Sequence, residues 1–232
     1  MNRRLLVIIG TPIPDSLAHA LADGYVASAR AAGAEVRVID LARDPVPAHP
    51  RSHDQLRMPR PGRDDDLPLD PEVARYIDDV RWADHLTVFH PQWWGTVPAA
   101  LKAFIDRVFL SGAAFRYRER SVVSERLLRG RTARIVMTMD SPRLWNRLAY
   151  RGAAEASLAR ATFAYCGIRT IGITRHTPIR FSDEATRSGW IAGAARNGRT
   201  DAASPRRAPR QEESPVGAGS FPRTGGRGTL EA

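Results

Sequence analysis

The chain has 232 residues, 43% of them apolar, and a formal net charge of +10. That length fits one domain with an extension or one larger domain, and its longest apolar runs, such as Leu5 to Ile9, are far too short to cross a bilayer, which excludes a membrane-spanning class. All the positive charge except Lys102 is arginine, scattered without a regular basic and aromatic stripe, so no nucleic-acid partner is expected.

The basic start followed by five apolar, mostly β-branched residues, stopped by Gly10, Thr11 and Pro12, reads as a first buried strand rather than a signal peptide. A run that is apolar at every position implies burial on both faces and a central place in a parallel sheet. The loop GTPIPDS follows, with Asp15 or Ser16 as N-cap of a helix to about Ala32. Leu17, Ala20, Leu21, Ala27 and Ala31 are its expected inner face, and Gly33 ends it. Glu35 to Asp40 alternates polar and apolar residues, as an edge strand with one wet face does. The first loop therefore offers backbone amides, the Ser16 hydroxyl and a helix start to a phosphate, or forms an ordinary capped helix. It has neither the Walker lysine pattern nor the dinucleotide glycine spacing.

Residues 43 to 69, rich in proline, arginine and aspartate, read as a long surface loop. Asp70 followed by Pro71 starts a second helix carrying Val73, Ile77 and Val80, and HLTVF from His85 is a third strand. The stretch HPQWWGTVPAALKAFIDRVF, His90 to Phe109, then turns and enters a helix at Pro98. Leu101, Phe104, Ile105, Val108 and Phe109 form one apolar stripe, and Lys102 and Asp106 an i, i+4 pair. Trp93 and Trp94 stand where a strand's carboxyl end meets the next helix, either capping the core or covering a ligand. His53, His85 and His90 have no cysteines or acids at metal-ligand spacing, so no metal site is expected.

SGAAFRYRERS reads as an aromatic loop, Ala133 to Thr138 as a fourth strand, Met139 to Arg143 as a loop, and Leu144 to about Cys166 as a helix capped by Gly167. Arg169 to Thr174 is a fifth strand, and a helix from about Asp183 to Ala195 closes the domain. Strand and helix alternate throughout, so a parallel sheet covered on both faces is expected. The single cysteine, Cys166, cannot form an internal disulfide, in keeping with a reducing, cytoplasmic setting. The 37 residues from Arg196 hold six glycines and four prolines, with only Val216, Phe221 and Leu230 as large apolar side chains. They read as a disordered tail over 196–232, outside a domain of residues 1–195, so deleting 199–232 is expected to leave the melting temperature almost unchanged.

GTPIPDSLAHAL, FHPQWWGTVPAALKAFIDRVF, SGAAFRY, MTMDSPRLWNRLAYRG and FAYCGI, in that order and spacing, resemble the flavodoxin-like NAD(P)H:quinone oxidoreductase family. The resemblance runs from about Arg4 to Ala195. It implies a three-layer α/β fold with a five-stranded parallel sheet in the order 2-1-3-4-5, a homodimer, and FMN or FAD at the carboxyl ends of the strands. It further implies transfer of two electrons from NAD(P)H to a quinone or similar acceptor. An alternative is a flavin-binding regulatory or electron-carrier subunit that docks to a transporter or redox partner.

By position, the resemblance assigns Thr11, Ser16, Leu17 and Ala18 to the flavin phosphate. Pro91, Gln92, Trp93, Trp94 and Gly95 would line the isoalloxazine, and Thr138, Met139, Asp140 and Ser141 its other edge. Phe115 and Tyr117 match an aromatic loop that lies near the partner subunit's pocket in relatives, and Tyr150 is the candidate for an assisting hydroxyl. The chain departs from the family pattern at Thr11, where many relatives have histidine, and at Leu17 and Ala18, where they have Phe-Asn.

Overall fold

A computed structural model describes residues 2–63 and 66–205. The expected tail, from residue 206 onward, lies outside these residues. Five parallel strands form one sheet: β1 (Arg4–Ile9), β2 (Glu35–Asp40), β3 (His85–Pro91), β6 (Thr132–Thr138) and β7 (Arg169–His176), in the spatial order β2-β1-β3-β6-β7. Counting the long strands alone, this is the order 2-1-3-4-5 implied by the resemblance. The labels β4 (Phe115–Arg116) and β5 (Glu125–Arg126) belong to a small antiparallel hairpin formed by the segment read as an aromatic loop.

β1 is buried on both sides because it pairs with β2 and β3, and its alternate residues serve two cores. Leu6 and Ile8 pack with α2 (Pro71–Trp82) and α3 (Ala99–Val108), through Tyr76, Ile77, Leu101 and Phe104. Leu5, Val7 and Ile9 face α1 (Leu17–Ala31), through Leu21, Tyr25 and Val26, and α6 (Glu184–Ala203), through Ala194. Helix, sheet, helix is thus the layering, and each such fully buried large side chain stabilises the fold by about 1.5–3 kcal/mol.

Several expected details change. In α1 the inward face is Ala18, Leu21, Ala22, Tyr25, Val26 and Ala29, whereas Ala27 and Ala31 are exposed. The helix expected from Leu144 to Cys166 is interrupted. α4 (Arg143–Leu148) ends before Arg151 and Gly152, both left-handed at φ of 51° and 62°; α5 (Ala153–Ala156) follows and passes into a π-helical stretch, Ser157–Ala164. A 3₁₀ turn, His53–Leu56, lies within the 43 to 69 loop, which is tied by Arg57 and Arg60 to Asp66. α3 keeps its stripe but also buries Arg107, which reaches Asp70 at 2.7 Å and the Ala48 carbonyl at 3.1 Å.

The last helix runs to Ala203 rather than Ala195, and its final turns belong to the core. Gly198 is pressed so closely on α1 that a Cβ there would collide with the Tyr25 carbonyl oxygen. Beyond it, the fully buried Asp201 accepts from Arg134 Nε and Nη2 at 2.7 and 2.8 Å and from the Tyr25 hydroxyl at 3.0 Å, and it meets His85 Nε2 at 3.2 Å. Arg3 holds the end of the helix by donating to the Ser204 and Pro205 carbonyls. This polar cluster sits where β3 and β6 begin, at the edge of the sheet opposite the loops described next.

Candidate active site at the carboxyl edge of the sheet

The loops after β1, β3 and β6 leave the same edge of the sheet, since the three strands are adjacent and parallel. The loop after β3 is a tight turn. Trp93 N–H donates to Thr96 O at 3.0 Å and Thr96 N–H to Trp93 O at 2.9 Å, which leaves Trp94 and Gly95 at its tip, both left-handed at φ of 50° and 73°. Reciprocal bonds around two residues of positive φ mark a type I′ turn. Its consequence for Trp94 is complete exposure, 100%, so Trp94 does not cap the core; Trp93 is 36% exposed.

Pro91, Gln92, Trp93, Trp94, Gly95, Thr138, Met139, Asp140 and Ser141 line one cleft of about 250 Å³, with Tyr150 and Ile179 completing it. Two of the three expected loops therefore converge, and so does the candidate hydroxyl of Tyr150. The Tyr150 ring lies against Gly95, where an added Cβ would stand 3.1 Å from its Cγ. Among the described residues the amides of Trp94, Gly95, Asp140 and Ser141 donate to no protein acceptor, and neither does the Tyr150 hydroxyl. The Asp140 carboxylate is turned to the β7 side, accepting from Arg180 N–H at 2.8 Å.

Thr11, Ser16, Leu17 and Ala18 do not line this cleft. They form the neighbouring turn, joined to β3 by a bond from Gly10 N–H to Phe89 O of 2.7 Å. Thr11 and Ala18 are buried, and Thr11 Oγ1 accepts from Ile13 N–H at 3.2 Å. His19, next along the helix, points inward, with Nδ1 at 2.9 Å from Ser16 Oγ and Nε2 at 3.1 Å from Asp40 Oδ1. The amides of Leu17 and Ala18 at the start of α1 have no protein acceptor among the described residues, and a helix start with free amides suits an anion.

Phe115 and Tyr117 are also elsewhere, stacked edge-to-face at 5.2 Å along a separate groove of about 410 Å³ beside α3 and Tyr165. Within one chain they do not meet the cleft.

A buried polar chain behind the cleft escaped the sequence reading. Gln92 Nε2 donates to Asn146 Oδ1 at 2.6 Å, Asn146 Nδ2 to Glu155 Oε1 at 2.9 Å, and Arg175 Nε to the same carboxylate. Burial alone would raise the Glu155 carboxyl, but the bonds from Arg175 and Asn146 outweigh it and hold it below the ordinary range. An asparagine inside the otherwise apolar and basic α4 segment was the one available signal. His90, fully buried, donates from Nδ1 to the Pro91 carbonyl at 2.9 Å, while its Nε2 has no partner among the described residues; burial lowers it to about 4, so it is neutral at pH 7.

The pieces suit a flat ring system with polar edges. The cleft has an open aromatic face at Trp94, a glycine where a Cβ would crowd Tyr150, and free amides on two sides, while the helix start beside it suits a phosphate.

A family model described as a flavodoxin-like fold matches residues 3–195. The chain is similar to an FMN-dependent NADH:quinone oxidoreductase of Ruegeria pomeroyi, with 32% identity over 77% of this chain and 88% of that protein. It is also 28% identical to an uncharacterized NAD(P)H oxidoreductase of Haemophilus influenzae, over 62% of this chain and 68% of that one. Among solved structures, Smu.1420 from Streptococcus mutans UA159 has 26% identity and a TM-score of 0.69, covering 85% of this chain and 99% of that one. An NAD(P)H:quinone oxidoreductase from Methanothermobacter marburgensis, at 18% identity and a TM-score of 0.69 over 86% and 98% of the two chains, shares the fold.

Proposed function

Because the chain belongs to the flavodoxin-like fold family whose model matches residues 3–195, we propose that it is an FMN-dependent NAD(P)H oxidoreductase that passes two electrons to a quinone or similar acceptor. The observation that carries this reading is the cleft of about 250 Å³ between the β3 and β6 loops, lined by a tryptophan with no role in the core. A relative named as FMN-dependent, similar along most of its length, supports FMN rather than FAD.

The flavin, when bound, would supply the electron-transfer chemistry itself. The protein's work is then to hold and orient. The amides of Trp94, Gly95, Asp140 and Ser141 can donate to polar edges of the ring, and the Trp94 side chain can cover a face. Tyr150 offers a hydroxyl at the cleft wall, and the amides of Leu17 and Ala18 a seat for the phosphate. Gln92 is held in place by Asn146, which fixes the turn that carries Trp94. The exposed Trp94 at the cleft and the exposed Leu144, Trp145 and Leu148 of α4 support a homodimer that covers them. Among the described residues no helix is long and apolar enough to cross a membrane, and the free Cys166 is buried; a cytoplasmic location fits the proposed use of NAD(P)H.

Purified protein loaded with FMN should be yellow, bleach with NADPH or NADH, and recover its colour when menadione is added. A chain that cannot be reconstituted with FMN would sink this reading.

A further inference from the structure

Arg143, Arg147 and Arg151 recur every fourth residue along α4 and the turn after it. Arg160 from the π-helical stretch and Arg175 from β7 join them around a second cleft of about 340 Å³. Glu155 is the one carboxylate in its wall, and it is already engaged by Arg175. Arg143 donates to the Arg175 carbonyl at 3.1 Å. Arg147, Arg151 and Arg160 are exposed and make no ion pair or hydrogen bond among the described residues.

Several other surface arginines are matched by aspartates, as Arg43 is by Asp15 and Asp40, and Arg57 by Asp54 and Asp66. Five guanidiniums around one carboxylate repel one another and focus a positive potential on the cleft, which an oxyanion relieves.

The second cleft adjoins the first. Tyr150 lines one and Arg151 the other, and Asn146, in the wall of the second, accepts from Gln92 of the first at 2.6 Å. A ligand reaching across both would present a flat group to Trp94 and Tyr150 and phosphates to the arginines. We propose that the arginine cleft holds the phosphates of the reduced nicotinamide dinucleotide, and that its uncommitted guanidiniums favour NADPH, with its extra 2′-phosphate, over NADH. This rests on the oxidoreductase reading above and adds to it the choice of electron donor.

The test compares FMN-loaded full-length protein with R147E/R160E, two exposed positions that form no internal bond. One measurement is kcat/KM for NADPH and for NADH with menadione. The other is calorimetric titration of 2′,5′-ADP, which carries the phosphates and no redox group. Wild type is expected to prefer NADPH by about tenfold or more, as bonds between guanidinium and phosphate imply. The variant should lose most of that preference. 2′,5′-ADP should bind wild type more weakly as salt is raised and fail to bind the variant. Equal use of the two dinucleotides by wild type, or an unchanged ratio in the variant, overturns the proposal. So does binding of heparin without binding of 2′,5′-ADP, which would assign the cleft to a macromolecular polyanion. If neither dinucleotide is oxidised but 2′,5′-ADP binds wild type and not the variant, the phosphate site stands and the oxidoreductase reading fails. R147A/R160A, read the same way, replaces the charge reversal if that variant does not fold.

Discussion

Gly95 stands against the Tyr150 ring: a Cβ added to the glycine would fall 3.1 Å from the ring's Cγ, close enough that the ring must give way, at a backbone φ of 73°. Gly95→Ala therefore meets two penalties, a left-handed conformation costing about 1–2 kcal/mol and displacement of the ring that walls the cleft. The expected outcome is a melting temperature lower by about 2–8 °C, together with weaker FMN retention after gel filtration. Unchanged retention would separate Tyr150 from the flavin.

Trp94 is fully exposed and contributes nothing to the core. Trp94→Ala should leave the melting temperature of the flavin-free protein within about 1 °C, as surface substitutions do, while FMN affinity falls. Fluorescence quenching on FMN titration measures the second effect, and an affinity equal to wild type would remove Trp94 from the site.

Asn146 bridges Gln92 and Glu155 within the buried chain. Asn146→Ala strands both partners and should cost about 1–3 kcal/mol. Asn146→Asp should cost more at neutral pH, because it keeps an acceptor for Gln92 but faces Glu155 with a second negative charge. Urea denaturation of both variants at pH 7 tests the order; an equal cost would mean that the Glu155 contact carries no weight.

His90 and His176 are buried, and burial brings each to about 4, below the ordinary value near 6.5. Each binds its proton more readily unfolded than folded, so its contribution to stability is present above about pH 6.5. It is lost as the pH falls from there toward 4. Denaturation midpoints should therefore decline across that window, with a slope of up to about 1.4 kcal/mol per pH unit for each group. His176→Phe, which keeps a ring against Trp190, should flatten the decline, and an unaltered slope would show that His176 does not titrate there.

Asp201 is wholly buried between Arg134, His85 and Tyr25. Asp201→Asn leaves the Arg134 charge uncompensated and should destabilise by about 3–5 kcal/mol, or about 10 °C in melting temperature. Removing residues 199–232 takes Asp201 away altogether, so the small effect expected from the composition of that segment is replaced by a large one. Calorimetry of both forms decides, and a truncated chain melting like wild type would show that the cluster does not hold α6.

The sequence by itself determined the alternation of strands and helices, the central place of Leu5 to Ile9, the α3 stripe, and the two loops that meet at the cleft. Each of these is written in residues a few positions apart, because periodicity, caps and turn chemistry act within one or two turns of chain. An alanine-rich helix such as α1 has small apolar residues on every face, so its inward side was settled by Tyr25 reaching Thr87 and Asp201. The glycines near the chain's end suggested a tail, yet Gly198 is where α6 presses most closely on α1. Arg143, Arg147 and Arg151 stand four residues apart in the sequence, but nothing there records their meeting with Arg160 and Arg175. Only the tertiary structure decided such convergences, since they depend on strand order and helix docking, and no local pattern records which distant side chains those will bring within hydrogen-bonding reach.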